Sequence, residues 1–475
     1  LSLLHILKCW PDDGGRFVTH PVVHTVDPET GVRNVGMYRM QVFDDYTTGM
    51  NWHRHKTGEK HYEAYKRLGR RMPVTVCLGG DPAYTYSAIA PMPEGLDEYI
   101  LAGFLRGKPA RLVKSVTNDL LIPADCDIVI EGYVDPDEEK AIEGPFGDHT
   151  GFYSLEDPYP LFHVTAITFR KDAVYPATIV GVPPQEDLYI ARATEKIFLA
   201  PIRLVMQPEI TDMYMPAEGV AHNLAILNID RRYSGQAAKV ASSMWGAGQM
   251  MFNKYMVVTS TDRDIRDPET IAALLRSADM DKAVIRGEGI LDILDHATAT
   301  PGYGGKMALD LTHDLPEEAT PWRASKAQFR RTGGITGWDD SLAEKWGILI
   351  LMAEPQRWPD IPKFMELNKV TNAKIIVLMD DSGILLSPAD ILWLATANSD
   401  PARDTEISGG TLIVDARTKL PAGELNPQRF PNIVASSEQT IRLVDFRWAY
   451  YGMGGFIPSP SAHYRRLLKS GKAEI

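Results

Sequence analysis

Short runs of β-branched and aromatic residues fill the first part of the chain, and glycine, proline and aspartate separate one run from the next. Examples between about residues 22 and 182 are residues 74–78 (VTVCL), 128–130 (IVI) and 162–167 (FHVTAI). Such runs are typical of β-strands joined by turns. Residues 58–68 and residues 94–105, which follow a Pro-Met-Pro stretch, have helical patterns instead. The sequence predicts an antiparallel barrel or sandwich that carries a few helices.

From about residue 201 onward strands and helices alternate, which predicts α/β layers. An internal repeat is visible in this part. Residues 254–258 (KYMVV) and 267–270 (DPET) correspond to residues 374–378 (KIIVL) and 387–390 (SPAD). Residues 304–310 (GGKMALD) likewise correspond to residues 409–415 (GGTLIVD), and the second copy is shorter. The repeat predicts a duplicated βαβ-like subdomain, with a glycine-rich linker near residues 330–340 between the copies.

Composition narrows the class of protein. A chain of 475 residues is long enough for two or three domains. Its net charge of −12 argues against a nucleic-acid surface, which needs a basic face. Cys9, Cys77 and Cys126 lie far apart without a CxxC pair, as expected in a reducing compartment. With no apolar run near the ~20 residues of a membrane span, we expect a cytoplasmic protein.

Residues 143–151 (EGPFGDHTG) place two carboxylates and a histidine on one short segment. The segment is too rich in glycine and proline to be helical, so it must turn tightly. Two carboxylates held close together repel when both are ionised, which raises the pKa of one of them and makes it a candidate general acid. Taken alone, the segment also fits an acidic surface turn.

Three further clusters contain residues that could carry chemistry. Residues 302–306 (GYGGK) suit either a phosphate-binding loop ending in Lys306 or a plain turn. If residues 34–39 form a strand, Val35, Met37 and Arg39 share one face, and a buried Arg39 needs a carboxylate or phosphate partner; a salt bridge to a neighbouring strand is the alternative. His53 and His55 form an HxH pair, a weak zinc signal that fits a solvated loop better. A site of hard oxygen ligands using one histidine would suit Mn²⁺ or Mg²⁺.

Taken together, these segments resemble the UbiD family of prenylated-flavin-dependent decarboxylases. The resemblance runs from residue 8 to about residue 312, and its motifs are residues 34–39, 91–98, 118–120, 128–132 and 143–151. Asp148 stands where the quinone-biosynthesis branch of the family has aspartate and the ferulate-type branch has glutamate. The C-terminal part, from about residue 337, resembles extended versions of that branch.

For the fold, the resemblance implies an α+β and α/β multidomain protein. Residues 1–20 would be a linker from a missing N-terminal domain, and residues 21–195 a central split β-barrel that binds flavin. Residues 196–335 would be a C-terminal α/β domain, and residues 336–475 a second α/β repeat or extension. The family also implies a homo-oligomer, either a dimer or a hexamer.

For the site, the resemblance implies prenylated FMN and a divalent metal, usually Mn²⁺, with K⁺ as a further candidate ion. Metal ligands would be Asn34, His61 and Glu98, although the quinone branch can carry another residue in place of His61. The residues that would contact the cofactor are Met37, Tyr38, Arg39, Asn51, Trp52, His53, Lys56, Thr57 and Lys306. Lys56 and Thr57 depart from the Arg-Gly common in that branch. The catalytic residues would be Arg39, Glu143 and Asp148, with Asp148 as the proton donor.

The function implied is reversible, non-oxidative decarboxylation of a hydroxylated aromatic acid of the quinone-precursor type. The alternatives are an anaerobic aromatic carboxylase and a non-catalytic UbiD-like subunit of a carboxylase complex. Partners would be the aromatic acid, CO₂ and a flavin prenyltransferase that supplies the cofactor, with no nucleic acid. Contact with a membrane surface is expected only if the substrate is polyprenylated.

Overall fold

The computed structural model describes residues 1–54, 56–93, 95–315, 321–324, 330–331, 333–355, 357–419 and 429–475. Two compact units make up this part of the chain. The first contains Leu1–Gly181, Ile433–Arg465 and Gly471–Ala473, and the second contains Val182–Asn432, Arg466–Ser470 and Glu474–Ile475. In the described ranges, no helix has both the length and the apolar character needed to cross a membrane.

An eight-stranded antiparallel sheet forms the body of the first unit, with strand order β1-β4-β5-β14-β9-β6-β2-β3. Three two-stranded sheets, β7-β8, β10-β13 and β11-β12, accompany it. The strands are β1 (Arg16–Val18), β2 (Val22–Val26), β3 (Arg33–Met37), β4 (Met40–Val42), β5 (Thr47–Gly49), β6 (Met72–Leu78), β7 (Leu112–Lys114), β8 (Leu121–Pro123), β9 (Ile128–Val134), β10 (Ala141–Glu143), β11 (Phe146–Gly147), β12 (Tyr153–Ser154), β13 (Asp157–Tyr159) and β14 (Leu161–Phe169). The strand-rich character predicted for this part of the chain is confirmed, and the closure of a split barrel stays a prediction.

Hydrophobic cores lie on both faces of the large sheet. In β6, Val74, Val76 and Leu78 belong to one core, and Cys77, whose side chain alternates to the opposite face, belongs to another. Both faces of this strand are covered, which explains why its sequence is almost continuously apolar. Tyr84 and Tyr99, on the two helices that cover the second face, complete the core around Cys77.

Between β5 and β7 the described residues form three helices: α1 (Thr57–Arg67), α2 (Pro82–Ile89) and α3 (Glu98–Arg106). The helix predicted over residues 58–68 is therefore confirmed, one residue earlier. The helix predicted over residues 94–105 begins only at Glu98, because Asp97 caps it by accepting the Tyr99 N–H; Glu94 lies outside the described residues. Helix α2 was not predicted, although Asp81 as N-cap and Pro82 at the first helical position are its signal.

The second unit contains two five-stranded sheets of matching topology, β15-β16-β17-β19-β18 and β20-β21-β22-β24-β23. In each sheet the three central strands are parallel and the two outer strands are antiparallel. The strands are β15 (Ile210–Tyr214), β16 (Leu224–Ile229), β17 (Tyr255–Ser260), β18 (Val284–Ile290), β19 (Tyr303–Leu311), β20 (Ile335–Asp339), β21 (Ile348–Ala353), β22 (Ile375–Met379), β23 (Thr405–Ser408) and β24 (Thr411–Asp415). A duplicated unit would give this correspondence.

Within the described residues, seven helices accompany these sheets: α4 (Asp187–Val205), α5 (Gln236–Trp245), α6 (Pro268–Ser277), α7 (Met280–Ala283), α8 (Ala343–Trp346), α9 (Ile361–Asn368) and α10 (Pro388–Ala397). Apolar residues of both sheets, among them Leu224, Leu309 and Leu412, share one core. The alternating pattern read from the sequence is confirmed. Two details are wrong. Residues 303–306 are the start of β19, paired with β18, and the turn is confined to the residues before them. The linker predicted near residues 330–340 contains β20, which pairs with β21.

More of both terminal regions lies in the first unit than the sequence suggested, although Glu474–Ile475 belong to the second unit. Leu1, Leu4 and Ile6 lie in the core of the large sheet, so residues 1–20 pack as part of the unit instead of forming a linker. The chain also returns to this unit at Ile433, through α11 (Glu438–Arg447) and α12 (Ser461–Tyr464). Ile433 forms an isolated antiparallel bridge with Phe152.

Candidate active site

The segment 143–151 is a tight, buried turn, as its glycine and proline content predicts. Glu143 ends β10, and β10 pairs with β13 so that Glu143 faces Asp157 across the ladder. Gly144 then has φ +105°, a conformation that L side chains rarely adopt, so glycine is required there. Strand β11 follows at once and delivers Asp148 at its end. The turn thereby presents Glu143 and Asp148 to the same neighbour.

That neighbour is Arg39. Its Nε donates to Glu143 Oε1 at 2.8 Å, and its Nη1 donates to Asp148 Oδ2 at 2.5 Å. The guanidinium also lies over the Phe146 ring, 4.8 Å from the centroid. The three side chains are 11%, 0% and 10% exposed, so the ion-pair network is nearly dry. Arg39 therefore has carboxylate partners, as the sequence predicted, and both belong to the EGPFGDHTG turn.

Each carboxylate has a second partner. Asn51 Nδ2 donates to the other oxygen of Glu143 at 2.7 Å. Asp148 Oδ1 accepts the His149 backbone N–H at 2.8 Å and lies 3.0 Å from His149 Nδ1. Hydrogen bonds of this kind hold both side chains in one rotamer, since a charged acceptor strengthens them. Both carboxylates that bind Arg39 are therefore held in place by neighbouring groups.

The sequence argument predicted a raised pKa for one carboxyl group of this turn, and for Asp148 that prediction is wrong. Burial raises the pKa of Asp148, but the hydrogen bond from His149 and the charge of Arg39 outweigh burial and hold it below its usual range. The guanidinium is correspondingly favoured in its charged form, because Glu143 and Asp148 raise the pKa of Arg39 against the effect of burial. The sequence argument considered two carboxylates repelling each other, whereas the fold places a cation between them.

The predicted metal ligands gather around strand β3. Thr25 Oγ1 lies 2.9 Å from His61 Nδ1 and accepts from Asn34 Nδ2 at 3.4 Å. Glu98 Oε2 accepts the backbone N–H of Val35, the residue after Asn34, at 3.1 Å. Strands β2 and β3, helix α1 and the first turn of α3 thus bring the three side chains together.

Their chemistry fits a hard divalent cation. Asn34 and His61 are 6% and 3% exposed, and the bond at Nδ1 leaves Nε2 of His61 as the nitrogen that would face a metal. Burial lowers the pKa of His61, which favours the neutral ligand form, and burial raises the pKa of Glu98 to about 7. No group of three or more His, Cys, Asp and Glu within the described ranges has a metal-binding arrangement, so the Asn34 amide would have to contribute.

The residues predicted to contact a flavin come from adjoining stretches of chain. Tyr38 Oη accepts the Gly58 N–H at 3.3 Å, and the Tyr38 and Trp52 rings meet edge to face with centroids 6.4 Å apart. A Cβ on Gly58 would lie 2.5 Å from Trp52 Nε1, so helix α1 starts in direct contact with this indole. The remaining members are Met37 at the end of β3, Asn51 and His53 beside Trp52, Lys56 as the N-cap of α1, and Thr57 as its first residue.

One buried donor in this cluster is unsatisfied. Trp52 Nε1 is buried and has no hydrogen-bond acceptor among the residues that the structure describes. Buried indole N–H groups usually have a partner, so the cluster fits a bound group that brings an acceptor. His53 stacks at a tilt on Tyr159, with centroids 6.1 Å apart, and its predicted HxH companion His55 lies outside the described residues.

Lys306 belongs to the second unit. Its ammonium donates to the carbonyl oxygens of Met251 and Asn253, both at 2.7 Å, and the residue is 1% exposed. Burial lowers its pKa to about 8. Contact with a phosphate stays a prediction for this residue.

Sequence reasoning missed several supporting residues. Thr25, which joins Asn34 to His61, carried no motif signal. Gln41 and Asp13 bind the backbone of the EGPFGDHTG turn, and the run Asp12-Asp13-Gly14-Gly15 was a turn signal that could have drawn attention to them. His149 stands inside the motif, yet its hydrogen bond to Asp148 requires the folded turn.

Two family models match the chain. The Rift-related domain of 3-octaprenyl-4-hydroxybenzoate carboxy-lyase (UbiD) matches residues 1–183, and the C-terminal domain of the same carboxy-lyase (UbiD_C) matches residues 188–311. An uncharacterized protein of Aquifex aeolicus is 48% identical over 67% of this chain and 65% of its own length. One of Archaeoglobus fulgidus is 47% identical over 67% of this chain and 66% of its own length. The matched region thus spans just under two thirds of those relatives, and 50% of a relative from Helicobacter pylori.

Solved structures of related enzymes are also similar to this chain. The UbiD-class enzyme HmfF from Pelotomaculum thermopropionicum, in complex with FMN, is 27% identical with a TM-score of 0.60, covering 66% of this chain and 69% of that one. An evolved dimeric form of HmfF, in complex with prFMN, has a TM-score of 0.58 at 26% identity. The vanillic acid decarboxylase of Sedimentibacter hydroxybenzoicus is 27% identical with a TM-score of 0.60, covering 71% of each chain. Together with the two family models, these similarities establish that the chain belongs to the UbiD family.

Proposed function

We propose that this chain catalyses reversible, non-oxidative decarboxylation of a hydroxylated aromatic acid, of the quinone-precursor type, with prenylated FMN. The observation that carries the proposal is the buried Arg39 guanidinium shared between Glu143 and Asp148 of the EGPFGDHTG turn. Membership of the UbiD family supports the reaction class, and two similar structures are an FMN-bound UbiD-class enzyme and a vanillic acid decarboxylase. The reverse reaction, aromatic carboxylation, would use the same residues.

The cofactor would be held by the cluster around Trp52. Its members are Met37, Tyr38, Arg39, Asn51, Trp52, His53, Lys56 and Thr57, with Lys306 proposed for the phosphate. Asn34, His61 and Glu98 would bind Mn²⁺. When bound, a prenylated flavin supplies the electron sink that loss of CO₂ from an sp² carbon requires and that no side chain offers.

Arg39 would bind the carboxylate of the aromatic acid. Its guanidinium is already oriented, because Glu143 is fully buried and is itself held by Asn51. A substrate carboxylate arriving at Nη1 would compete with Asp148 for the same N–H. Glu143 would keep its bond to Nε and hold the guanidinium in place while this exchange occurs.

Asp148 would deliver the proton that replaces CO₂. The Arg39 charge is one of the influences that depress its pKa, and burial opposes that influence. A substrate carboxylate that shares Arg39 weakens this influence and adds a negative charge nearby, so the pKa of Asp148 rises toward the range of a general acid, although His149 still opposes the rise. Asp148 takes up a proton from solvent as its pKa rises on substrate binding, and this proton then moves from the carboxyl to the ring carbon that has lost CO₂.

The remaining proposals concern partners. A flavin prenyltransferase would supply the cofactor, and the chain would act in the cytoplasm as a homo-oligomer, either a dimer or a hexamer. A polyprenylated substrate would bring the site to a membrane surface.

The test compares Asp148→Asn with Asp157→Asn in protein produced together with a flavin prenyltransferase. Asp157 is exposed and lies opposite Glu143 on β13, so it is a matched carboxylate outside the network. Headspace CO₂ is measured across a panel of hydroxybenzoates. We expect Asp148→Asn to lower kcat by at least about 100-fold, the usual contribution of general acid catalysis, and Asp157→Asn to leave it unchanged. Unchanged turnover in Asp148→Asn would exclude the proton-donor role, and a folded wild type without flavin would exclude the reaction.

A further inference from the structure

A buried carboxylate from the beginning of the chain binds the EGPFGDHTG turn. Asp13 is 3% exposed and accepts three backbone N–H groups. Oδ2 accepts from Cys9 at 3.1 Å and from Trp10 at 2.8 Å. Oδ1 accepts from Gly147 at 2.8 Å, across 134 positions of sequence. One oxygen thus fixes the N-terminal segment, and the other fixes the residue immediately before Asp148.

Other contacts join the same two segments. The Gly14 N–H donates to the Pro145 carbonyl at 2.7 Å, and a Cβ on Gly14 would lie 2.0 Å from the Gly144 carbonyl oxygen. A Cβ on Gly147 would lie 2.3 Å from the Trp10 ring. On the other side of the turn, Gln41 Oε1 accepts the Gly144 N–H at 2.7 Å. The backbone of the turn is therefore bound both after Glu143 and before Asp148.

We propose that Asp13 is a positioning residue for the reaction: by accepting the Gly147 N–H, its carboxylate holds the turn in the conformation that brings Asp148 to Arg39. This inference rests on the proposed function for its catalytic consequence, but the mechanical part concerns the chain alone. Arg39 binds the two carboxylates at fixed distances of 2.8 and 2.5 Å, so a shift of about 1 Å at Gly147 is enough to break the second contact.

The charge state of Asp13 supports this role. Burial raises its pKa to about 6, although the N–H groups of Gly147, Trp10 and Cys9 act in the opposite direction. The charge of Lys8 also lowers the pKa of Asp13. Asp12 and Asp13 both act on the Tyr153 hydroxyl, which accepts the Asp12 N–H. The folded chain thus binds a proton at Asp13 more readily than the unfolded chain does. Ionisation of the buried carboxyl lowers the stability of the fold as pH rises through about 6, yet the ionised form is the stronger acceptor for the three N–H groups.

The test uses hydrogen exchange of flavin-free protein at pH 7.5, read by mass spectrometry on peptides that cover residues 143–152. Asp13→Asn is the variant, because one of its two atoms becomes a donor and must face at least one of the three N–H groups. Asp12→Asn is the matched control. We expect exchange in these peptides to rise about 10- to 100-fold in Asp13→Asn, as for loss of a hydrogen bond to a charged group. The control should exchange like the wild type.

Kinetics on the loaded enzyme then separate positioning from substrate binding. We expect Asp13→Asn to lower kcat by about tenfold and to leave KM within about twofold, because Asp13 is not among the residues proposed to contact substrate or cofactor. The wild-type kcat should also fall as pH decreases through about 6, and this acid limb should be absent in Asp13→Asn. Gln41→Ala, which releases the Gly144 side of the same turn, should reproduce the loss of kcat.

Two outcomes would overturn the inference: unchanged exchange in Asp13→Asn, or an increase in KM with an unchanged kcat. If Asp13→Asn does not fold, the wild type alone still decides, since protection of residues 143–152, corrected for intrinsic exchange rates, should be lower at pH 5 than at pH 7.5. A wild type without decarboxylase activity would count against the proposed function, while the exchange measurement would still report on Asp13.

Discussion

Replacing Arg39 by methionine should destabilise the first unit far more than the loss of an ordinary ion pair. Methionine keeps most of the apolar stem that lies over Phe146 but removes the cation. Glu143, which is fully buried, and Asp148, which is 10% exposed, would then face each other without a counter-charge. Asn51 and His149 would remain as hydrogen-bond donors to these carboxylates.

Breaking a buried pair by removing one partner costs about 3–5 kcal/mol, because the other charge stays buried and uncompensated. The remaining bonds from Asn51 and His149 place the expected loss at the lower end, about 3 kcal/mol. For a unit of this size that corresponds to a fall in Tm of about 6–12 °C. Arg170→Met is the matched control, because Arg170 and Asp172 form an exposed pair whose loss should change Tm little.

The pH dependence gives the sharper test. In the wild type the depressed pKa of Asp148 contributes stability that is present above its ordinary pKa and is lost as pH falls through the depressed value. Without Arg39, burial should raise that pKa, so the penalty should be largest at high pH and should shrink as the carboxyl takes up a proton. Thermal unfolding is followed at pH 8 and pH 5. An equal loss at both pH values, or a loss no greater than that of Arg170→Met, would refute the ion-pair reasoning.

Two further predictions test the neighbouring clusters. Glu98→Gln should lower Mn²⁺ affinity by at least about tenfold, because Glu98 is the one anionic member of the proposed ligand set. The exposed Glu63→Gln on α1 should not; metal content after dialysis is the measurement, and equal retention would argue against the site. Gly58→Ala should weaken FMN binding and cost about 1–3 kcal/mol, because its Cβ would lie 2.5 Å from Trp52 Nε1. Gly246→Ala is the control, because Gly246 has φ −100° and no atom lies within 3.6 Å of the new Cβ. FMN affinity is measured by titration, and an equal affinity for both variants would contradict the proposed role of the Gly58–Trp52 contact.

Much of the local structure was predictable from the sequence. The β-branched runs became strands, and the alternation after residue 201 became two α/β sheets. The need of a buried Arg39 for an anionic partner also followed from its neighbours alone. The predicted helix starts were less accurate. Asp97 caps α3, which therefore begins at Glu98, and α2, which begins with an Asp-Pro pair, was not predicted. Residues 303–306 are part of a strand because their backbone groups pair with β18. Local sequence propensity does not predict this pairing.

The sequence by itself determined where the chain must turn, which segments extend, and that the EGPFGDHTG turn carries two carboxylates. Those properties depend on backbone preferences and on near neighbours, which a linear sequence displays. Only the tertiary structure decided the charge state of Asp148 and the support of its backbone by Asp13. Both depend on groups far away in the sequence, Arg39 at 109 positions and Gly147 at 134, and electrostatic and hydrogen-bond energies depend on distance in space.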